Sequence, residues 1–435
     1  MLTAVAFGGG GSRFGLANLA VQVVALIVLA ICAQDSWRFW KEAPLALRAL
    51  VGVSLLLPLL QLVPLPETVW SALAGRDLIT LAAPAVGIES AGARPLSLFP
   101  LRTALAATAL ITPLAVLMIC WALPRQHLLS LGWLWVATMP IMLAIGMVQL
   151  STNGAVFQFW PEGLWLDALV GTFANRNSTG LFLVGVLGLA LMLPPPRRLP
   201  IPALLAARAA LAALIVTGIV LTKSRSALVL TAIPLVLGLV HAVLIVWNAR
   251  TERQSPFVSA VIAATLAGTA LIGITAIVME APGRLAQTLA RFDSAEDDSR
   301  QFIWEDAVYS ASRYWPVGAG MGTFDDVFQV DEALENVSIR RAGRAHNDYL
   351  EIAIEAGAFG LGLIALWLAY LGWLTWQARR SPDRWAAWAA SGLLFAIALQ
   401  SFTDYPLRNQ TMLAMAAFAL ALLARIATEP RRQRA

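Results

Sequence analysis

One short stretch of the chain has the residue types of a general base beside an anion site. It reads Arg344-Ala345-His346-Asn347-Asp348-Tyr349-Leu350-Glu351 and separates a polar segment from an apolar one. Asp348 and Glu351 have the i, i+3 spacing of a capping box, which predicts a helix that starts near Asn347 or Asp348. His346 then lies at a helix N-terminus, where the dipole favours bound anions and a neutral imidazole that accepts protons. The plainer alternative is that His346 only caps the helix.

The amino-acid composition indicates the class of protein that contains this stretch. The chain has 435 residues, of which 59% are hydrophobic and 13% charged. This excess of apolar residues favours a multispanning membrane protein over a soluble domain. We attribute the net charge of +5 mostly to basic residues in cytoplasmic loops, which orient a membrane protein. No nucleic-acid partner is therefore predicted. The two cysteines lie in apolar runs and suggest neither a disulfide nor a metal site.

Apolar runs long enough to cross a bilayer predict an all-α polytopic membrane protein with about 11–12 transmembrane helices. We expect them to form a single transmembrane domain over residues 1–435. The runs are 16–33, 46–63, 103–123, 128–149, 179–193, 200–221, 226–247, 257–279, 349–374, 385–402 and 411–426.

The loops between these runs predict an orientation. Most loops on one side are short and basic, as in Pro194-Pro195-Pro196-Arg197-Arg198, and the positive-inside rule places them in the cytoplasm. The opposite, outer side has longer segments, among them 64–102 and 280–348.

Polar residues cluster on the outer side at the ends of apolar runs. A cation beside a membrane helix is costly and usually faces a cavity or a partner. The clusters contain Asn175, Arg176 and Asn177 before the run 179–193, Lys223 and Arg225 between the next two runs, and Arg300 in the segment 280–348.

Each cation has a structural alternative, since Arg176 could reach lipid headgroups and Lys223 and Arg225 could mark a hairpin turn. Arg300 could pair with a neighbouring aspartate. Convergence of these cations with a candidate base favours a site, because guanidinium groups bind phosphate oxygens bidentately and suit a diphosphate. No acidic or histidine cluster has metal-site spacing. Gly318-Ala319-Gly320-Met321-Gly322 predicts a tight loop near the site, because no strand precedes it to form a dinucleotide site.

Taken together, these motifs resemble those of the O-antigen ligase and polymerase superfamily. The resemblance implies a bacterial inner-membrane glycosyltransferase with a GT-C-like fold and an active site facing the periplasm. The segment 64–102 would be the first periplasmic loop, and 280–348 a large periplasmic loop carrying part of the active site. The motifs are Phe173-Ala174-Asn175-Arg176-Asn177, Lys223-Ser224-Arg225-Ser226, Arg300 with Trp304, Trp315-Pro316-Val317-Gly318-Ala319-Gly320, and His346-Asn347-Asp348-Tyr349-Leu350-Glu351.

The resemblance also implies substrates and residue roles. The donor would be a glycan linked to undecaprenyl diphosphate, and the acceptor a hydroxyl of lipid A core or of a lipid-linked repeat unit, with membrane lipids as surroundings and no cofactor. His346 would be the catalytic base, and the diphosphate would be bound by Arg176, Arg225 and Arg300, with Lys223 helping. The supporting residues would be Asn175, Asn177, Arg344, Asn347, Asp348 and Glu351.

The predicted reaction is a direct displacement in which His346 deprotonates the acceptor and the arginines stabilise the leaving diphosphate. It would invert the anomeric configuration and need no metal. Ligase and polymerase stay equally open. The main alternative is a transporter or flippase for a lipid-linked or anionic glycan, although the chain shows no internal repeat of the kind that transporters often have. A structural scaffold would leave Arg225 and His346 without a role.

Overall fold

The structure is a computed structural model that describes residues 1–11, 14–85, 87, 92–160, 167–197, 199–250, 300–337 and 341–429. Within these ranges, six helices are long and apolar enough to cross a membrane. There are seven if Gly15–Ile31 and Ala33–Glu42, which meet at 83°, count as one broken span. The predicted all-α polytopic membrane class is therefore confirmed.

The helices of the described residues are numbered in chain order. They are α1 Leu2–Phe7, α2 Gly15–Ile31, α3 Ala33–Glu42, α4 Leu45–Leu60, α5 Glu67–Ser71, α6 Asp77–Ala85, α7 Pro100–Ala109, α8 Ile111–Ala122, α9 Arg125–Ser151, α10 Arg176–Met192, α11 Ile201–Leu221, α12 Arg225–Leu230, α13 Ala232–Arg250, α14 Arg300–Arg313, α15 Phe324–Asp331, α16 Asp348–Ala378, α17 Arg384–Gln400 and α18 Gln410–Thr428. Short 3-10 turns cover Gly8–Gly10 and Pro406–Arg408, and the strands Pro64–Leu65 and Arg94–Pro95 pair antiparallel.

The predicted apolar runs coincide with these helices, apart from 257–279, which lies outside the described residues. Two of the helices, Leu45–Leu60 and Arg176–Met192, are apolar but shorter than the six candidate spans. The total of 11–12 transmembrane helices stays a prediction.

Helix α10 is the centre of the bundle. Fourteen of its seventeen residues are buried, on all sides of the helix, and it packs against α9, α11, α13 and α17. A helix that is apolar all round belongs in a core. By contrast, the helices at the periphery of the bundle expose large apolar side chains such as Leu16, Leu105 and Val229, as expected of a surface that contacts lipid.

Helices α14 and α15 cover the start of α16 and form a second, smaller core. Their buried apolar side chains meet the residue before His346 and the first turns of α16, so the polar segment and the membrane helix pack as one unit. The buried members of this core are Ala307, Tyr314, Ala319, Phe324, Val327, Phe328, Ala345 and Ile354.

The glycine loop 318–322 packs against a kink in α16, as the sequence predicted for a tight loop. Gly357 has φ 56° and ψ −141° inside the helix, which interrupts the regular hydrogen bonding. The loop replaces the lost bonds: the Ala319 N–H donates to the Ile354 carbonyl at 2.8 Å and the Gly320 N–H to the Glu355 carbonyl at 2.9 Å. The N–H groups of the loop and the carbonyl groups left unpaired at the kink thus satisfy each other's hydrogen-bonding requirements.

We expect Gly357→Ala to lower the free energy of unfolding by at least about 2 kcal/mol, from backbone strain and overpacking. A Cβ at Gly357 would lie 2.1 Å from the Pro316 carbonyl oxygen. The matched control is Gly362→Ala in the same helix, where a Cβ meets nothing within 4 Å; it should be neutral or stabilising by up to about 1 kcal/mol. Denaturation of the detergent-solubilised variants measures both, and equal stability would contradict the role of the kink.

Candidate active site

His346 is held in place by its neighbours in the chain. The Trp304 indole N–H donates to the Ala345 carbonyl at 2.8 Å, and the Ala345 N–H donates to the Glu351 carboxylate at 3.0 Å. His346 itself has φ 51°, a left-handed conformation that is uncommon for a residue with a side chain. Its side chain remains 31% exposed, so the imidazole is positioned by the backbone and accessible to a substrate.

The imidazole faces a buried carboxylate, that of Asp404. His346 Nδ1 lies 3.4 Å from Asp404 Oδ1, within ion-pair distance, and within the described residues neither atom forms a hydrogen bond. A proton on Nδ1 directed at this carboxylate leaves Nε2 as the acceptor. The pair therefore has the arrangement of an oriented general base.

The other oxygen of Asp404 is held by two amides from the start of α10. Asn177 Nδ2 donates to Oδ2 at 2.7 Å and Asn175 Nδ2 at 3.2 Å. Burial by itself would raise the pKa of the Asp404 carboxyl, but His346, Asn177 and the charge of Arg300 hold it below its ordinary value. Asp404 is therefore an anion at neutral pH, and Arg300 contributes to its field.

Sequence reasoning missed Asp404. It lies in the short turn between α17 and α18, and only the packing of α10 against α17 brings that turn to Asn177. The only feature of the sequence that pointed to Asp404 was its acidic side chain in a turn between two apolar runs, on the side predicted to be the outer one. Such a residue is usually solvated.

Asn177 also links this pair to the Lys223-Ser224-Arg225 segment. The Ser224 hydroxyl donates to Asn177 Oδ1 at 2.8 Å, and the same hydroxyl accepts from the Ala227 N–H to cap α12. The predicted supporting residues Asn175 and Asn177 are thus brought to His346, and the loop that carries Arg225 is attached to them.

Two of the predicted cations occupy the first position of a helix. Arg176 opens α10, and Arg225 opens α12, which continues into the candidate span Arg225–Asn248. A helix N-terminus already carries partial positive charge, so a cation there is unfavourable by about 0.3–1 kcal/mol unless an anion is nearby. The dipole and the guanidinium then attract the same anion.

Lys223 has a carboxylate partner that the sequence analysis did not identify. Its buried Nζ donates to Asp167 at 2.7 Å, while the Asp167 side chain is 58% exposed. This hydrogen bond, with a further contribution from the charge of Arg176, holds the pKa of Asp167 below its ordinary value. Lys223 and Arg176 therefore act on one neighbourhood, in which Asp167 already supplies a negative charge.

Three of the remaining supporting residues, Arg344, Asp348 and Glu351, form a buried ion cluster with Arg408, another residue that the sequence analysis did not single out. Arg408 contacts Asp348 at 3.2 Å, Glu351 at 2.9 Å and Glu355 at 3.2 Å. Arg344 also binds Glu351, at 3.0 Å. Burial would lower the pKa of the Arg408 guanidinium, but the three carboxylates raise it above its ordinary value. These residues secure the helix start behind His346.

The helix start itself is correct, but the predicted capping box is wrong. Asn347 is the N-cap, and its Oδ1 accepts from the N–H groups of Tyr349 and Leu350 at 3.0 and 3.2 Å. Asp348 and Glu351 instead turn their carboxylates to the arginines. With Asn347 at the N-cap, the Glu351 carboxylate is free to accept from the Ala345 N–H outside the helix and to bind both guanidinium groups.

Within the described residues, no group of three or more histidine, cysteine or acidic side chains could hold a metal ion. The assignment of Arg176, Lys223, Arg225 and Arg300 to phosphate binding stays a prediction. Metal independence stays a prediction.

The fold and the site define a multi-pass, all-α membrane protein with a histidine, a buried carboxylate and several cations at its polar site. Comparison with known families agrees with this class: residues 209–365 match a family model described as O-antigen ligase. The match confirms the predicted resemblance to the O-antigen ligase and polymerase superfamily and supports an activity of that general type. The matched segment contains Lys223, Arg225, Arg300 and His346, whereas Arg176 and Asp404 lie outside it. No curated protein matches the chain.

We expect Arg408→Ala to lower the free energy of unfolding by about 3–5 kcal/mol, because it leaves buried carboxylates uncompensated. The control is Arg102→Ala, which removes an exposed ion pair with Asp326 at 2.8 Å and should change stability by less than about 1 kcal/mol. Denaturant unfolding in detergent compares the two. A loss in Arg408→Ala no larger than in the control would contradict a structural role for the cluster.

Proposed function

We propose that this protein transfers a glycan from undecaprenyl diphosphate to an acceptor hydroxyl at the periplasmic face of the bacterial inner membrane, as an O-antigen ligase or a polysaccharide polymerase. The observation that carries the proposal is the His346–Asp404 pair beside helices that begin with Arg176 and Arg225. An oriented base and an anion site are the two components that this transfer needs. The family match over residues 209–365 supports the same reaction class.

In the proposed reaction, Nε2 of His346 takes the proton of the acceptor hydroxyl as its oxygen attacks the anomeric carbon of the donor sugar. The bond between that carbon and the diphosphate oxygen breaks, and undecaprenyl diphosphate leaves with the bonding electrons. Attack opposite the leaving group inverts the anomeric configuration. Asp404 stabilises the imidazolium that forms, which is how a buried carboxylate assists a histidine base.

The cations stabilise the charge that develops on the leaving diphosphate. Arg176, Arg225 and Arg300 supply guanidinium groups, which bind phosphate oxygens in pairs and stay protonated. Fixed charges in a site partly screened from water stabilise such a transition state effectively. We therefore propose that these side chains take the place of a divalent metal and that transfer continues in EDTA.

The first test is glycan transfer in a strain that lacks this protein, complemented with the wild type, His346→Ala or Arg225→Ala. We expect the wild type to restore a high-mass glycan and each variant to transfer at least about 10²-fold less, the usual effect of losing a base or a transition-state donor. Arg38→Ala is the matched control, because Arg38 forms only exposed ion pairs within α3. Gel analysis of the polysaccharide, with equal membrane expression, gives the readout.

Two outcomes of that test separate the alternatives. Glycan attached to lipid A core indicates a ligase, and free polymer indicates a polymerase. Full transfer by His346→Ala would overturn the base assignment, and the arginines would then be better explained by transport of an anionic glycan lipid.

The second test concerns Asp404. We expect Asp404→Asn to reduce the transfer rate of the purified enzyme by about 10²-fold or more. An uncharged amide, unlike the carboxylate it replaces, neither stabilises the imidazolium nor selects the tautomer of the imidazole. Asp35→Asn is the control, since Asp35 is a 60% exposed carboxylate in α3. A rate for Asp404→Asn equal to that of the control would show that Asp404 has no part in the reaction.

A further inference from the structure

A cavity of about 140 Å³ is lined in part by Asn175 and Tyr405, which contact the His346–Asp404 pair. Its walls include the glycine run 9–11, Phe14, Ser178, Tyr405 and Arg408. A volume of this size holds several water molecules and exceeds an ordinary packing defect. The transfer reaction as described above makes no use of it.

The cavity shares two side chains with the candidate base. Asn175 lines the cavity and donates to Asp404 at 3.2 Å. Tyr405 also lines it, and the centroid of its ring is 5.0 Å from that of the His346 imidazole. A molecule in the cavity would therefore be separated from the base by the width of one side chain.

The described lining residues of the cavity offer little attraction to an anion. Its one cation, among the lining residues that the structure describes, is Arg408, whose guanidinium already contacts Asp348, Glu351 and Glu355. These three carboxylates already neutralise the guanidinium, so it offers little attraction to a further anion. The cavity therefore suits an uncharged ligand, in contrast to the neighbourhood of Arg176 and Arg225.

The remaining lining groups are those that bind sugars. Phe14 contributes an aromatic ring, which is supported by Trp160 at a centroid distance of 4.5 Å. The polar residues Ser178, Tyr405 and Asn175 and the glycine run complete the lining. An apolar ring face with a few polar groups around it matches a pyranose, which has C–H groups on its faces and hydroxyls at its edge.

The glycine run explains how the N-terminal backbone becomes a wall of this cavity. A Cβ at Gly9 would lie 2.2 Å from the Thr172 carbonyl oxygen, so only glycine permits this approach, and the Ala174 N–H donates to the Gly9 carbonyl at 3.1 Å. At Gly11 the position of a Cβ is open, with the nearest atom, the Arg408 carbonyl oxygen, 3.9 Å away. The backbone is thus packed on one side and open on the other.

We propose that this cavity binds an uncharged sugar ring of the acceptor, next to the hydroxyl that His346 deprotonates. The inference rests on the proposed function for its assignment to the acceptor, because the donor sugar must stay with its diphosphate near the arginines. Phe14 is the residue that recognises the ring, and Tyr405 lies between the bound sugar and the base.

The test is equilibrium binding of two labelled probes to purified wild type and Phe14→Leu, which keeps an apolar side chain but removes the aromatic face. The probes are dephosphorylated core oligosaccharide and repeat-unit glycan released from its diphosphate lipid. We expect Phe14→Leu to weaken binding of at least one probe by about tenfold, the effect of losing one aromatic contact. Phe14→Tyr should bind like the wild type, and so should the matched control Phe159→Leu, which changes an exposed ring outside the cavity lining.

Inorganic pyrophosphate serves as the third probe, and its affinity should be the same in all four proteins. Unchanged sugar binding in Phe14→Leu, or a change in pyrophosphate binding instead, would overturn the proposal. In transfer assays, the probe whose binding depends on Phe14 should raise the apparent KM of the acceptor; a rise in the apparent KM of the donor alone would assign the cavity to the donor and overturn the acceptor assignment. Because binding is measured without turnover, a failure of the proposed transferase activity is recognised separately by absent transfer in the wild type.

Discussion

The geometry of the polar site depends on the compensation of three carboxylates by two guanidinium groups, of which that of Arg408 contacts all three. Asp348, Glu351 and Glu355 lie along the same side of the first turns of α16, and each is within 3.2 Å of Arg408. Carboxylates this close to one another repel strongly when water is excluded, so the helix start is stable only with a cation among them. Arg408 comes from the turn between α17 and α18, and that turn is thereby fixed to α16.

This constraint determines the position of the candidate base. His346 stands two residues before the first carboxylate of the cluster, and Asp404 stands on the same turn as Arg408. Fixing the turn to the helix start therefore sets the separation between the imidazole and its carboxylate. Glu355 extends the connection further, since its side chain accepts from the Phe324 N–H at 3.3 Å and its carbonyl accepts from the glycine loop. Membrane helices, ion cluster and polar segment thus hold one another in place.

The site divides into two electrostatic halves. On one side, Arg176 and Arg225 reinforce the positive ends of their helices, and Lys223 and Asp167 pair beside them. On the other, the charge of Arg408 is fully engaged, and the adjoining cavity presents aromatic and uncharged polar groups. The His346–Asp404 pair adjoins both. Such a division suits the proposed transfer between a charged donor and a neutral hydroxyl.

The sequence by itself determined the membrane class, most helix positions and the helix start beside His346, and it predicted the residues of the proposed reaction. These follow from local properties, since apolar run length reflects bilayer thickness and cap residues act within one turn. Only the tertiary structure decided which residues meet. It placed Asp404 beside His346, Asp167 beside Lys223, and Arg408 among the carboxylates that the capping pattern had assigned to backbone N–H groups. It also made the glycine run a wall of the cavity. Each is a contact between segments far apart in the chain. Such contacts depend on how helices pack around α10, and a single sequence has no periodicity or spacing that encodes them.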